Sequence, residues 1–539
     1  MTEIDEQGNT ISISPRSIWR KRIATIPEQI YDDSLLALAN KSPYLANIPV
    51  AKKLCESRGN FVLPKIKPDL GIAGDSYPDT YSNGVQLIQQ SIAMQQPILV
   101  ALDYDCDGQT SGTCMYYTLK AAGANVSWIV PSRLEHGYGL NVELVKATGL
   151  QNALIVTTDN GITSVEEVAA LKALGHMVVI TDHHLQEGEL PEADAIVNPK
   201  VMQLRTDDEY MAPGVYVAAK TALLSVKPLV SPEKFIELVE FCAPLVAIGI
   251  VSDVIELNTM LHNQLLYGLS LLHTTRHVGL NRLLEIAGAK PNQNITSTFI
   301  GFSLAPRLNA AGRMGQAELG VQLLLTEETN TEDEKKQVNA LANKLNSLNN
   351  ERKEISQQIL DEAVSQVREL YPPEKDKDTA IYVLYKPYWH AGVIGIVAAM
   401  IAEQFHKPTI VLTKNKDSLD GSGRSVGNLD LFAILQECKD TLNHYGGHAA
   451  AVGVSLPEDK LEFFREQVNK VLLSKLQEDL VTLPVTQVDA QVTIADLENI
   501  HFRILCETFE PTGVLNPPLV FMLRHCLSTT WRERLWRVP

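Results

Sequence analysis

Three aspartates spaced two apart, Asp103, Asp105 and Asp107 in "PILVALDYDCDGQTSG", follow an apolar run, Pro97 to Leu102, that reads as a buried strand. A side-chain period of two points all three acids to one face if the chain stays extended, and three carboxylates on one face repel unless a cation lies among them. Taken alone, the segment reads as well as an acidic turn in which Asp103 caps a helix beginning near Thr110. Three further segments have the same character. "NALIVTTDNG" puts Asp159 at a strand end, "MVVITDHH" puts Asp182, His183 and His184 at the next, and "AIGIVSDVIEL" puts Asp253 after an apolar run. Each has an ordinary reading by itself: a turn, a helix cap, packed histidines. Taken together, converging carboxylates are costly unless paired or metallated, and imidazole is a common nitrogen ligand. An oxygen-rich set with one or two imidazoles suits Mn²⁺ or Mg²⁺ better than a thiol-seeking metal, and five or more ligands suit two ions. Two cations serve in-line displacement at phosphorus, so phosphoester or phosphoanhydride hydrolysis is the expected reaction class.

The elements that must position these residues are legible as a rhythm. From Pro97 to Asn198 apolar strand-like runs alternate with helical stretches, the pattern of a doubly wound parallel sheet whose ligands collect at the carboxyl ends of the strands. Pro213 to about Thr329 reads as mostly helical. From Thr331, with Glu334 completing a capping box, apolar residues recur at spacings of three and four until Pro372-Pro373, which predicts one long connecting helix rather than a coiled-coil strand. A second, smaller α/β unit follows: "AIYVLYKPYW", a helix from Gly392 to Phe405, "PTIVLT", a loop "GSGRSVG", and "HYGGHAAAVGVSL", a glycine-rich helix start on its ordinary reading.

At 539 residues the chain is too long for one core, and about two to four domains are expected. The net charge of −17 excludes a protein that holds nucleic acid by bulk electrostatics, so any such contact must be local. The N-terminus lacks a signal-peptide pattern, and apolar runs such as Ala391 to Ala402 are too short to span a bilayer, so no membrane association and a cytoplasmic location are expected. Seven cysteines without a CxxC pair fit reduced thiols.

The set "DYDCDG", "DNG", "TDHH" and "SDV", with "PRLNAAGR", "GSGRS" and "YGGH", closely resembles the DHH phosphoesterase superfamily and, within it, the bacterial RecJ exonucleases. The resemblance runs from about Phe61 to Leu456. It implies a DHH domain (61–330) after an N-terminal extension (1–60), the connecting helix (331–371), a DHHA1-type domain (372–478) and a partial OB-like region (479–539). It also implies a 5′-to-3′ exonuclease specific for single-stranded DNA that releases mononucleotides, needs two Mn²⁺ or Mg²⁺ ions, and serves repair and recombination. A monomer is expected, with a single-strand-binding protein and a helicase as partners.

Carried over by motif, Asp105, Asp107, Asp159, His183 and Asp253 are the expected metal ligands. Asp103 joins the acidic cluster, Asp182 orients an imidazole and His184 faces the scissile phosphate. Cys106 stands where the family usually has alanine, and a thiol beside a redox-active metal raises the question of oxidation. DNA contacts are expected in the cleft between the two α/β domains. "PSRLEHGYG" offers Arg133, His136 and Tyr138, a phosphate cation and a stacking ring. "RLNAAGR" offers Arg307, Asn309 and Arg313, and "GSGRS" offers Ser422, Arg424 and Ser425 beside amides open to an anion, for phosphates including a 5′ terminal one. His448 of "YGGH" is expected near the same cleft.

"FEPTGVLNPPLVF" matches the family's OB-like pattern, but the match is lost after about Cys526, as a truncated or altered reading frame would produce. The last sixteen residues carry two tryptophans and four arginines. Two rival readings share part of this pattern. A small-phosphoanhydride hydrolase would keep the ligands without the DNA-binding additions, and a non-catalytic replication scaffold would have no reason to retain the acids.

Overall fold

Two short strands, β1 (Thr10–Ser14) and β2 (Ser17–Lys21), pair antiparallel near the start of the chain. The computed structural model describes residues 10–14, 17–21 and 79–523, apart from 187, 202–207, 273, 291–293, 327–330, 476–484, 500–501, 503–505, 507–508 and 515. Most of the expected N-terminal extension and the tryptophan- and arginine-rich end lie outside the described residues. The chain divides into two compact units: residues 21–349 with 487–539, and residues 350–486 with 1–20.

In the larger unit, β3 (Ile98–Leu102), β4 (Val126–Ile129), β5 (Leu154–Thr158), β6 (Met177–Thr181) and β7 (Ala195–Val197) form one sheet in the order β4-β3-β5-β6-β7. Every pairing is parallel. Parallel strands covered on both faces read as continuous apolar runs, which is why "ILVAL" and "LIVTT" show no alternation. Leu99, Ala101, Ile155, Val178 and Ile180 pack on one face with Val168 and Leu171 of the helix Val165–Ala173. Ile98, Val100, Leu102 and Val156 pack on the other, with the helices Asp79–Ala93, Cys106–Ala121 and Gly214–Val226. Gly112 permits that contact, since a Cβ there would stand 1.9 Å from Leu102 Cγ. The chain order reverses between β3 and β5, and such a switch point opens the crevice in which doubly wound folds bind ligands.

The helix Pro232–Ser252 is capped by Ser231, whose hydroxyl accepts from Lys234 N–H at 3.2 Å. By length and composition it is long and apolar enough to cross a membrane, contrary to the sequence expectation, yet 67% of its most apolar stretch is buried inside the protein.

The long helix is Glu332–Leu370. Its capping box is formed: Glu334 N–H donates to Thr331 Oγ1 at 3.2 Å and Thr331 N–H donates to the Glu334 carboxylate at 2.9 Å. Val338, Ala342, Leu345 and Leu348 are buried in the core of the larger unit, while Ile359, Leu360, Ala363 and Val367 are buried in that of the smaller. The unit boundary therefore falls inside the helix.

The smaller unit holds β8 (Tyr382–Tyr385), β9 (Thr409–Asn415), β10 (Ser418–Arg424), β11 (His444–His448) and β12 (Ala451–Pro457) in the order β11-β12-β10-β9-β8. Only β8 and β9 are parallel. Two expectations are corrected here. "GSGR" is not a loop but the end of β10, paired on both sides, so its amides serve the sheet. "HYGGH" is an edge strand turning into β12 rather than a helix start.

Toward the C-terminus, β13 (Val485–Val488) joins β1 and β2, and β14 (Ala490–Val492) pairs parallel with β15 (Phe521–Leu523). An OB fold is a five-stranded Greek-key barrel, and the described residues contain none.

Candidate metal centre

The strand register carries the acids into one row. Asp103, Asp159 and Asp182 each follow the last residue of neighbouring strands β3, β5 and β6. Their N–H groups continue the ladder by donating to Thr158 O (3.2 Å), Thr181 O (3.0 Å) and Val197 O (3.1 Å). Asp159 takes the left-handed conformation (φ +64°) that Asp tolerates better than most residues.

The first motif reaches the site by a different path from the one expected. The strand ends at Leu102, as its apolar run indicates, but the helix begins at Cys106, four residues before Thr110. Asp105 rather than Asp103 is the cap, accepting from Gly108 N–H at 3.0 Å. Asp107, in the first helical turn, accepts from Gly214 N–H (2.8 Å) and Val215 N–H (3.1 Å), the first two amides of the helix Gly214–Val226. Gly214 is required here, because a Cβ would stand 2.3 Å from Asp159 Oδ1.

His183 Nε2 is the focus of the site. It lies 3.2 Å from Asp159 Oδ1, 3.7 Å from Asp253 Oδ2 and 4.0 Å from Asp107 Oδ2, so three carboxylates from three separate elements surround one buried ring nitrogen. Burial and the neighbouring His184 hold the His183 pKa well below its ordinary value, leaving the neutral imidazole that a metal needs. Burial, then the adjacent carboxylates, pushes Asp103, Asp107 and Asp159 well up, and burial with Asp105 pushes Asp253 up to about 7.

These residues fit a divalent cation. Donor atoms of Asp107, His183 and Asp253 lie within 4.8 Å of one another, as do those of Asp103, Asp105 and Asp159, and Asp103 Oδ1 is buried with no hydrogen-bond partner. His184 also meets that distance criterion with Asp159 and His183, but its Nδ1 is held by Asp182 Oδ1 at 2.8 Å. Burial opposes charge on that pair, yet the hydrogen bond raises His184 to about 9 and lowers Asp182 to about 2. Asp182 further accepts from the N–H groups of His183 (2.7 Å) and Ile162 (2.9 Å). The outcome is one neutral histidine among carboxylates beside one cationic histidine anchored to its own.

Two family models match the chain, the DHH family N-terminal domain over residues 97–250 and the DHHA1 domain over 378–474. The single-stranded-DNA-specific exonuclease RecJ of Salmonella typhimurium is 37% identical over 463 residues, 81% of this chain and 77% of that protein. The chain belongs to the RecJ family. The Bacillus subtilis RecJ is 35% identical over 80% of this chain, which spans only 52% of that relative's length. A crystal structure of RecJ from Thermus thermophilus in complex with Mn²⁺ superposes with a TM-score of 0.73 at 25% identity, covering 94% of this chain and 69% of that one.

Other residues singled out by the RecJ resemblance fall into two groups. Near the acids, the Tyr138 hydroxyl lies 3.2 Å from His184 Nδ1, its ring meets Tyr104 edge-on at 6.4 Å, and the Arg133 guanidinium lies 5.4 Å from the Tyr104 ring centre. His136 instead accepts from Ser132 N–H within its own loop. From "RLNAAGR", Asn309 Oδ1 accepts the Cys106 N–H at 2.9 Å, tying this segment to the first acidic turn, and Arg307 donates to Asn346 Oδ1 and to Ser303 O. Arg313 ends the same helix and acts electrostatically on Tyr104.

In the smaller unit, Arg424 donates to Ser422 Oγ (3.0 Å) and Gly423 O (2.8 Å), beside Gly395 near the start of the helix Ile394–Phe405. Ser425 Oγ donates to Leu429 O, and exposed His448 accepts from Ala450 N–H. Sequence reasoning missed Tyr104 and Lys200. Tyr104 had a signal, an aromatic between two acids. Lys200, whose charge acts on Asp253, Asp182 and Asp159, had none. The Cys106 question closes, because the thiol is fully buried and burial pushes it far above its ordinary value, making it inert.

The raised carboxyls give a signed prediction. Asp253 binds its proton more tightly folded (about 7) than unfolded (3.8), so its contribution to the metal-free protein is complete below the ordinary carboxylate range. That contribution is lost as pH rises through about 7. In chelator, the melting temperature of Asp253→Asn relative to the parent should therefore climb between about pH 4 and 7 and level off above that. A difference that stays flat or falls across that interval would show that Asp253 is not strained by its neighbours.

Proposed function

We propose that this chain is a divalent-metal-dependent exonuclease that removes mononucleotides from the 5′ end of single-stranded DNA, in the service of repair and recombination. The observation that carries this reading is the neutral His183 ring nitrogen enclosed by Asp107, Asp159 and Asp253. The names of its relatives supply the substrate. Asp105, Asp107, Asp159, His183 and Asp253 would hold two Mn²⁺ or Mg²⁺ ions, with Asp103 adding to the negative field. When bound, the ions supply an acidified water and stabilise the charge that develops on the phosphoryl group.

The chain's own residues do the rest. Asp182 keeps His184 cationic, and His184 offers its free ring N–H to a phosphoryl oxygen, a charge-assisted hydrogen bond. Asn309 fixes the turn that carries Asp105 and Asp107 through the Cys106 amide. Tyr138 stacks a base and Arg133 neutralises a phosphate, while Arg307 and Arg313 extend the cationic lining. In the smaller unit, Arg424, with Ser422 and Ser425, would receive the 5′ terminal phosphate, and His448 would contact DNA as well. A single-strand-binding protein and a helicase are the expected partners of a monomeric enzyme.

The test is digestion with Mn²⁺ of a single-stranded DNA labelled separately at each end. Immediate release of a 5′-labelled mononucleotide, with the 3′ label shortening gradually, is expected. Pyrophosphate hydrolysis with untouched DNA would overturn the reading. Arg424→Ala should slow use of 5′-phosphorylated ends about tenfold, the scale of one charged hydrogen bond, and barely affect 5′-hydroxyl ends. Equal losses on both ends would remove its phosphate role.

A further inference from the structure

Asp253 ends the helix Pro232–Ser252, and the chain beyond it turns through Val254, at φ +54°, into a connector that closes at Asn258, the cap of the helix Thr259–Leu271. That connector belongs to no helix or strand, and its Ile255 and Leu257 pack on the core of the larger unit. A turn near the far end of the described chain lies against it as well. Glu256 and Val514 form an isolated parallel bridge, with Leu257 N–H directed at Val514 O at 3.4 Å. Gly513 approaches so closely that a Cβ on it would stand 2.7 Å from Leu257 Cδ1.

The other side of the same turn grips Ser297. Thr512 N–H donates to Ser297 Oγ at 3.0 Å, and the Ser297 hydroxyl donates to the Glu510 carboxylate at 3.3 Å. The turn is stiff in itself: the Asn516 carboxamide donates to Phe509 O (2.7 Å) and Pro511 O (3.0 Å), and Gly513 and Asn516 exchange backbone hydrogen bonds. Ser297 opens the helical segment that leads through Ile300–Leu304 into Ala305–Arg313, the helix carrying Asn309.

We infer that the turn formed by residues 509–514 and Asn516 is a strap that positions Asp253, so that the centre's hold on its divalent cation depends on contacts made by this distant turn. The inference rests on the reading of Asp253 as a metal ligand. A ligand at a helix end has its carboxylate aimed by the backbone that follows, and that backbone is pinned between Val514 and Gly513. Ser297, Thr512 and Gly513 are then positioning residues, and their loss acts on metal affinity through Asp253, as outer-shell partners of metal ligands do.

The experiment measures Mn²⁺ affinity directly, from the electron paramagnetic resonance of the free ion, on the full chain and five variants: Ser297→Ala, Ser297→Thr, Gly513→Ala, Asp253→Asn and the double variant Ser297→Ala/Asp253→Asn. Ser297→Ala should raise the dissociation constant about tenfold, and Ser297→Thr, which keeps the hydroxyl, should restore it. Gly513→Ala presses on Leu257 from the opposite side of the turn and should weaken binding too, which keeps the inference exposed if Ser297→Ala fails to fold. In the Asp253→Asn background Ser297→Ala should cost nothing further. Equal losses in both backgrounds, or unchanged affinity in the strap variants while Asp253→Asn binds weakly, would overturn the strap. Unchanged affinity in Asp253→Asn would instead overturn the metal reading beneath it.

Discussion

Replacing Asp159 by asparagine should lower turnover on single-stranded DNA by about a thousandfold or more, since losing one electrostatic stabiliser of a transition state already costs 10²–10³. Asparagine is the informative choice because the residue sits at φ +64°, where alanine would add backbone strain unrelated to charge. The same change should stabilise the metal-free protein. Asp159 is buried against Asp107, Asp105 and Asp103, all of which act to raise its pKa, so removing its charge relieves repulsion. Calorimetry in chelator should show a higher melting temperature for the variant, and Mn²⁺ should raise that of the parent but not of the variant. A scaffold that had abandoned catalysis would show neither metal-linked stabilisation nor lost turnover. Parental turnover in the variant would remove Asp159 from the site.

Replacing Lys220 by methionine should cost about 3–5 kcal/mol of stability, the scale of breaking a buried ion pair from one side. The ammonium pairs with Glu209 Oε1 and lies 4.9 Å from the Tyr81 ring centre, while the Tyr81 hydroxyl donates to Glu209 Oε2 at 2.9 Å. Lys220 and Glu209 are both buried, so the variant leaves a buried carboxylate without its counter-charge. Urea unfolding measures the loss, and adding Glu209→Gln to Lys220→Met should recover part of it. A cost below about 1 kcal/mol would show that water reaches the pair. The consequence extends to the candidate metal centre, because Lys220 belongs to the helix whose first two amides hold Asp107.

Much of this was open to reading along the chain. A parallel strand declares itself by a continuous apolar run, and in a doubly wound sheet the residue after such a run lies at the functional edge. Asp103, Asp159, Asp182 and His183 were therefore visible as a group before any coordinates. The capping box at Thr331 and the heptad-like apolar spacing declared the long helix in the same local way. Where local pattern was ambiguous, it misled: "DYDCDGQT" allowed a helix from near Thr110 capped by Asp103, yet the helix starts at Cys106 under an Asp105 cap, and its first turn brings Asp107 inward. Glycine in "GSGRS" suggested a loop open to anions, and cross-strand pairing on both sides made it a strand.

By itself, the sequence determined the α/β class, the family to which the chain belongs, and the candidate carboxylates and imidazoles at the strand ends, because these depend on residue type and short-range period. The tertiary structure alone decided which of these groups meet and what holds them. Asp253 comes within 3.7 Å of His183 from the end of a helix, Asn309 reaches the Cys106 amide, and a turn around Thr512 clasps Ser297 and the connector after Asp253. Contacts of this kind join residues far apart in the chain through single hydrogen bonds and close packing, and such contacts leave no periodicity in the sequence to reveal them.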